Sequence, residues 1–213
     1  GLVALGLFKS QEEIDSAPKH IGTVQIGDIR YKDMNEDGVI DEYDECPIGY
    51  SNIPRIQFGL TAGFSYKGFD FSMLWQGAAQ FSVYFSNGAV WEFRDGGNAF
   101  EHHLGRFNPE DPSTWDKATY PRLHDGNFPN NHRKSTYWLK KGDYLRLKNV
   151  EIGYSLPKHL FSKIGVSKLR FFVSGTNLLT FDHQNTFDPE TENERAYNYP
   201  QMSQYTFGVN IQF

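Results

Sequence analysis

The chain has 213 residues, 21 Lys and Arg against 26 Asp and Glu for a net charge of −5, and one cysteine, Cys46. A lone cysteine excludes an intrachain disulfide and a cysteine-held zinc cluster, and the lack of any basic block argues against nucleic acid as a partner. Mean hydropathy is −0.58, and no apolar run reaches the ~18 residues of a membrane-spanning helix.

That last exclusion does not extend to a β-barrel, whose strands alternate and so average to moderate hydropathy. Aromatic residues make up 16% of the chain, mostly Phe and Tyr, which suits such a wall. The opening GLVALGLF is apolar, but it lacks the basic flank and long apolar core of a signal peptide. An exported protein would then be represented here by a mature fragment.

Residues 1–54 read as an extracellular loop region rich in turn residues and acidic clusters. Within it, residues 33–44 (DMNEDGVIDEYD) match the calcium-loop pattern. Asp33, Asn35 and Asp37 place oxygens at loop positions 1, 3 and 5, and Gly38 permits the sharp turn at position 6. Val39 would offer its carbonyl, Asp41 would bind directly or through water, and Asp44 would close the loop. Ile40 would anchor the loop on an apolar neighbour. Glu closes an EF-hand loop, so the shorter Asp44 is a departure, one that resembles dockerin loops. The flanks do not read as two EF-hand helices. A many-oxygen cage suits Ca²⁺ better than Mg²⁺, in a structural role. The bland reading is a solvated acidic turn, since Asp, Asn and Gly favour turns anyway.

Strands follow. Residues 56–66 alternate, with Ile56, Phe58, Leu60, Ala62, Phe64 and Tyr66 on one face. Lys67-Gly68 is a tight turn, and 69–79 continue the alternation with Phe69, Phe71, Met73 and Trp75. Residues 80–141 are aperiodic, rich in Gly and Pro, and read as a long functional loop. A third strand is expected over 142–155, but its faces conflict, because Arg146 and Lys148 share parity with Val150, Ile152 and Tyr154. Pro157 ends it, and 158–164 suit a short helical turn. A fourth strand spans 168–179, a polar loop 180–203, and a fifth strand 204–213. The fifth alternates without a break: Tyr205, Phe207, Val209, Ile211 and Phe213 against Gln204, Thr206, Gly208, Asn210 and Gln212. About ten residues is enough to cross a bilayer as a tilted strand.

The connections alternate between short and long. Barrels of the outer membrane keep short turns on the periplasmic side and long loops outside. With Phe213 in the periplasm, the turns at 67–68 and 156–166 fall there too, and 1–54, 80–141 and 180–203 all lie outside. Five strands leave two open edges and cannot enclose a passage, so a larger barrel is implied. Phe58, Phe71 and Phe207 would face lipid, while Trp75, Tyr66, Tyr154 and Phe213 are candidates for the aromatic girdles.

Several segments then resemble one family. Residues 139–157 (LKKGDYLRLKNVEIGYSLP) and 169–180 (LRFFVSGTNLLT) are similar to the closing motifs of SusC-like (RagA-like) TonB-dependent transporters. So are 6–14 (GLFKSQEEI), 27–33 (GDIRYKD) and 68–71 (GFDF), in family order. The resemblance implies an all-β, antiparallel fold: the C-terminal five strands, within residues 55–213, of a 22-stranded transmembrane barrel with long extracellular loops. It implies nutrient import, of glycan or oligopeptide, across the bacterial outer membrane of a Gram-negative cell. Partners would be a SusD-like surface lipoprotein, the TonB complex acting through an N-terminal part not present here, the remaining barrel and plug, and outer-membrane lipid. Phe213 would serve barrel assembly. No catalysis is implied. The rival from another class is a secreted calcium-dependent β-sandwich adhesion module.

Other candidates are weaker. Trp91, Phe93, Trp115, Tyr120 and Trp138 could stack on sugar rings or meet the capping lipoprotein, or could pack a small core of their own loop. His102, His103, His124 and His132 lack close zinc-ligand spacing. The pairs Glu110-Asp111 and Glu190-Glu192 lie in polar loops with no geometry that implies a hydrolase acid and base.

Overall fold

The structure is a computed structural model that describes every residue except 89, 162–164, 185–186, 191–198 and 200. The end of the expected helical turn at 162–164 and Glu192 of the second acidic pair lie outside the described residues. In chain order the strands are β1 (Ala4–Leu7), β2 (Ile29–Tyr31), β3 (Ile56–Tyr66), β4 (Phe69–Ala79), β5 (Ser82–Tyr84), β6 (Leu139–Lys141), β7 (Tyr144–Ser155), β8 (Lys168–Asp182) and β9 (Gln204–Gln212). Among the described residues one short α-helix, α1, covers Gln11–Ser16.

The chain divides into two compact units. One is an antiparallel sheet in the order β3-β4-β7-β8-β9. All five expected strands are there, with β8 running to Asp182 because its pairing with β7 continues to Tyr144. The β3–β4 hairpin turns at Lys67 (φ 47°) and Gly68 (φ 90°), the left-handed pair of a type I′ turn. A Cβ at Gly68 would also run into the Ser155 carbonyl.

The parity conflict in the third strand has a structural answer. Trp75 pairs with Leu147 and Leu74 with Asn149, so Lys148 is the extra residue of a β-bulge. Beyond the bulge the faces exchange. Leu145 and Leu147 join Val150, Ile152 and Tyr154 on the apolar face, and Arg146 turns to the polar one. A bulge costs one unpaired residue, which is less than placing a guanidinium on an apolar surface.

The other unit comprises Gly1–Asn52, Ser82–Lys141 and Thr186–Asn198. It contains the two-stranded pairs β1-β2 and β5-β6. Ser10 caps α1 by accepting the Glu13 amide, while Glu13 accepts the Lys9 amide in return. Leu2, Phe8, Ile29, Tyr31, Ile40 and Phe107 are fully buried and form the apolar centre. Segments far apart in sequence are stitched by backbone bonds, such as the Leu2 amide to the Lys134 carbonyl at 2.8 Å and the Thr136 amide to the Leu2 carbonyl at 3.0 Å.

Candidate functional site

The sheet has two chemically distinct faces. On one, register aligns apolar residues in rows across all strands. Tyr66 pairs with Phe69, Phe69 with Tyr154, Tyr154 with Phe171, and Phe171 with Val209. Phe69 and Tyr154 meet at a tilt with centroids 4.5 Å apart, and farther along Trp75 stacks on Phe181 at 6.4 Å. Phe58 and Phe207 lie on this face and are exposed, while Phe71 on the same face is half-buried. Phe213, next in parity after Ile211, is 86% exposed. An apolar surface this continuous is not left facing water without a partner or lipid.

The other face is polar and holds an ion cluster the sequence did not suggest. Arg170 donates to both Asp70 oxygens and, at 2.6 Å, to Glu151. These residues sit on β8, β4 and β7, so the cluster ties three strands together. Arg146, almost fully buried, donates from Nε to Thr180 Oγ1 at 2.9 Å. Only strand register brings these groups together, which is why spacing alone could not find them.

The 33–44 loop is wrapped by side chain to backbone bonds. Asp33 Oδ1 accepts the Glu36 amide at 2.7 Å and Oδ2 the Gly38 amide at 2.8 Å. Asn35 Oδ1 accepts the Asp37 amide, Asp37 Oδ1 the Val39 amide and Asp41 Oδ1 the Tyr43 amide. Asp44 is fully buried, and its two oxygens accept amides from Met34 at 2.7 Å and Asp41 at 2.9 Å. Burial raises its pKa, but the amides of Asp41, Met34 and Asn35 prevail and hold the carboxyl below its ordinary range. Gly38 takes φ +84°. Ile40 is buried, and Lys19 brackets it, accepting the Ile40 amide and donating to the Gly38 carbonyl, both at 2.8 Å. The donor set is all oxygen, the chemistry that suits calcium. Among the described residues, however, no three His, Cys, Asp or Glu side chains are gathered as a metal-holding group.

The loop aromatics divide. Trp91, Tyr120 and Trp138 are buried, whereas Phe93 and Trp115 are half-buried. Trp115 stacks on Phe107 at 5.2 Å, and its Nε1 donates to the Asn108 carbonyl. Trp91 stacks on His132 at 4.5 Å, and Trp138 meets Tyr120 edge-on at 5.4 Å.

Beside these rings lies a buried carboxylate, Glu92. Its Oε2 accepts the Tyr120 hydroxyl at 2.5 Å and faces His132 Nε2 at 3.3 Å, and its Oε1 accepts the His124 amide at 2.9 Å. Burial would raise the Glu92 pKa. The bonds from His132, Tyr120 and the His124 amide outweigh it and hold the group below the ordinary carboxylate range. A second buried carboxylate, Asp28, accepts from His124 Nε2 at 2.6 Å and from Asn131 Nδ2 at 3.0 Å. The histidines at 124 and 132 thus serve a buried hydrogen-bond network. Of the acidic pair at 110–111, Asp111 caps the 3-10 turn Pro112–Lys117 through the Ser113 amide.

No family model matches the chain. It is 31% identical over its full length to one TonB-dependent receptor of Formosa agariphila, and 27% identical over 86% of its length to a second. The chain spans 22% and 19% of the length of these relatives. Two solved structures described as the RagAB peptide importer, in its open-open and closed-closed states, match the whole chain with a TM-score of 0.69. Identity to them is 22% and 23%, and the chain covers 22% of each, so they speak for the fold. The relatives are receptors and transporters, not enzymes. Over its whole length the chain thus resembles about one fifth of a TonB-dependent receptor in sequence, and a like share of RagAB in fold.

Proposed function

We propose that this chain forms wall and external loops of a TonB-dependent importer in the bacterial outer membrane. One observation carries the reading: a five-stranded sheet whose exposed face is a continuous apolar surface and whose opposite face is polar. Soluble sheets bury their apolar face, whereas a barrel presents it to lipid. The short turn at Lys67-Gly68 and the β7–β8 connection leave the same end of the sheet, which we assign to the periplasmic side. Import would be driven by TonB through a plug elsewhere in the transporter. A SusD-like lipoprotein would cap the outer side, and the cargo would be a glycan or an oligopeptide. RagAB, whose fold the chain shares, is a peptide importer; a peptide cargo is the reading this favours.

Within that assembly we assign three local roles. The 33–44 loop binds Ca²⁺ through Asp33, Asn35, Asp37, the Val39 carbonyl, Asp41 and Asp44, and the ion stiffens an external loop. Phe93 and Trp115, with part of their rings in solvent, are the loop aromatics available to cargo or lipoprotein. Trp91, Tyr120 and Trp138 support them from the core. Phe213 serves barrel assembly.

The deciding experiment is extraction of the native protein from source membranes in mild detergent, with mass spectrometry of what co-purifies. Recovery with a plug-bearing polypeptide and a lipoprotein supports the importer. Recovery as a lone water-soluble species would overturn it in favour of the secreted calcium-dependent adhesion module.

A further inference from the structure

His103 lies on the 3-10 turn Glu101–Gly105 and is 2% exposed. Its Nδ1 receives the Phe100 backbone N–H at 2.7 Å, and its Nε2 stands 3.0 Å from the Val90 carbonyl. An amide N–H only donates and a carbonyl only accepts. The ring therefore carries its single proton on Nε2 and offers a lone pair at Nδ1. A second proton could only go to Nδ1, where it would oppose the Phe100 N–H and break that bond.

The groups facing this imidazole come from three segments. His102 is beside it, ring centroids 4.1 Å apart, with its own Nε2 3.2 Å from the same Val90 carbonyl. Tyr120 packs edge-on at 4.5 Å, its hydroxyl between Glu92 and Val90. Glu92 is the anion that favours the charged ring. Burial disfavours it most, His102 adds to that, and together they outweigh Val90 and Glu92, so the His103 pKa lies below its ordinary value.

We propose that His103 is an acid-sensitive latch that holds the turn at 100–105 against Val90 only while its imidazole is neutral. The sign is fixed by linkage. A histidine whose folded pKa is below its unfolded value of about 6.5 contributes stability that is complete above that value and declines as pH falls beneath it. Mild acid would therefore loosen residues 90–106. The latch rests on the geometry of this unit alone and stands whatever the transporter carries.

The test is hydrogen–deuterium exchange on the full-length transporter in lipid nanodiscs at pH 7.5 and 5.5, corrected for intrinsic rates. In the natural protein, protection of 100–106 should fall by more than about twofold and at most about tenfold, the ceiling for one histidine with an unfolded value near 6.5. His103→Gln keeps one donor and one acceptor but cannot titrate, and should show less than about a twofold change. An equal loss in both proteins would overturn the latch. Exchange of the His103 ring C2 proton in the natural protein reads the pKa without any variant. A value at or above about 6.5 would overturn the proposal even if His103→Gln fails to assemble.

Discussion

The guanidinium of Arg170 lies over Gly153, in space that a Cβ at that position would occupy. Gly153 stands on β7 between Asp70 and Phe172 in register, so a side chain there would block the route from β8 to the Asp70 carboxylate. Strand interiors ordinarily gain from replacing glycine. Here the gain is overridden by the ion cluster.

Gly153→Ala should therefore destabilise the sheet by about 1–3 kcal/mol, through overpacking and loosened contacts of Arg170 with Asp70 and Glu151. Gly59 is the control. A Cβ there meets only ordinary neighbours, the Trp75 carbonyl at 3.6 Å and Leu74 at 4.0 Å, so Gly59→Ala should be neutral or mildly stabilising. Thermal unfolding in detergent, followed by the gel-mobility shift of the folded protein, compares them. Equal midpoints for the two variants would argue against this role for Gly153.

Much of this architecture was legible. Alternation over 56–66, 69–79 and 204–213 gave strands and faces, because a sheet with unlike faces imposes a period of two. The bulge at Lys148 was visible only as a contradiction of parity, since nothing local distinguishes a bulged lysine from a paired one. The buried network was not legible. Asp28 meets Asn131 and Glu92 meets His132 across 103 and 40 residues, and no periodicity records such pairings. The 33–44 loop lies nearer the other extreme: apart from the bonds of Asp44 to Met34 and Asn35, its side chain to backbone bonds run between residues two to five positions apart, within reach of a local pattern of residue types.

Phe207 separates a membrane wall from a water-exposed sheet. It is 79% exposed on β9, opposite Val173. In water, Phe207→Lys would be neutral or would help solubility. Facing hydrocarbon, it should cost up to about 2–4 kcal/mol, depending on depth. Unfolding of the two proteins in bilayers measures the difference, and an unchanged midpoint would count against a lipid-facing β9.

Glu92→Gln should weaken the loop unit by about 1.5–3 kcal/mol per charge-assisted bond lost to Tyr120 and His132. The natural protein should also carry an acid dependence that the variant lacks. A carboxylate whose folded pKa is depressed contributes stability that is present above its unfolded value and lost as pH falls through the folded one. Glu92 is such a group, so this part of the unit's stability should begin to decline below about pH 4.5 and be lost as pH falls through the lower folded value, in the natural protein only. Protease susceptibility of residues 87–138 across pH 3–7 reads both effects. Parallel profiles would show that Glu92 is not the titrating group.

The acidic loop offers a contrast between two aspartates that separates metal binding from mere turn formation. Asp44 is fully buried and accepts amides from Met34, Asn35 and Asp41, so Asp44→Ala should cost about 1–3 kcal/mol with or without calcium. Asp33 is only half-buried and accepts just two amides, both from within the turn. If the loop holds calcium, Asp33→Ala should lose little in chelator. It should then fail to gain the roughly 2.7 kcal/mol that a ligand at a hundred times its Kd gives the natural protein. Calorimetric titration of the natural protein should show calcium uptake that Asp33→Ala and Asp37→Ala weaken. Identical melting of natural and variant proteins in calcium and in chelator would leave the loop a turn held by its own amides.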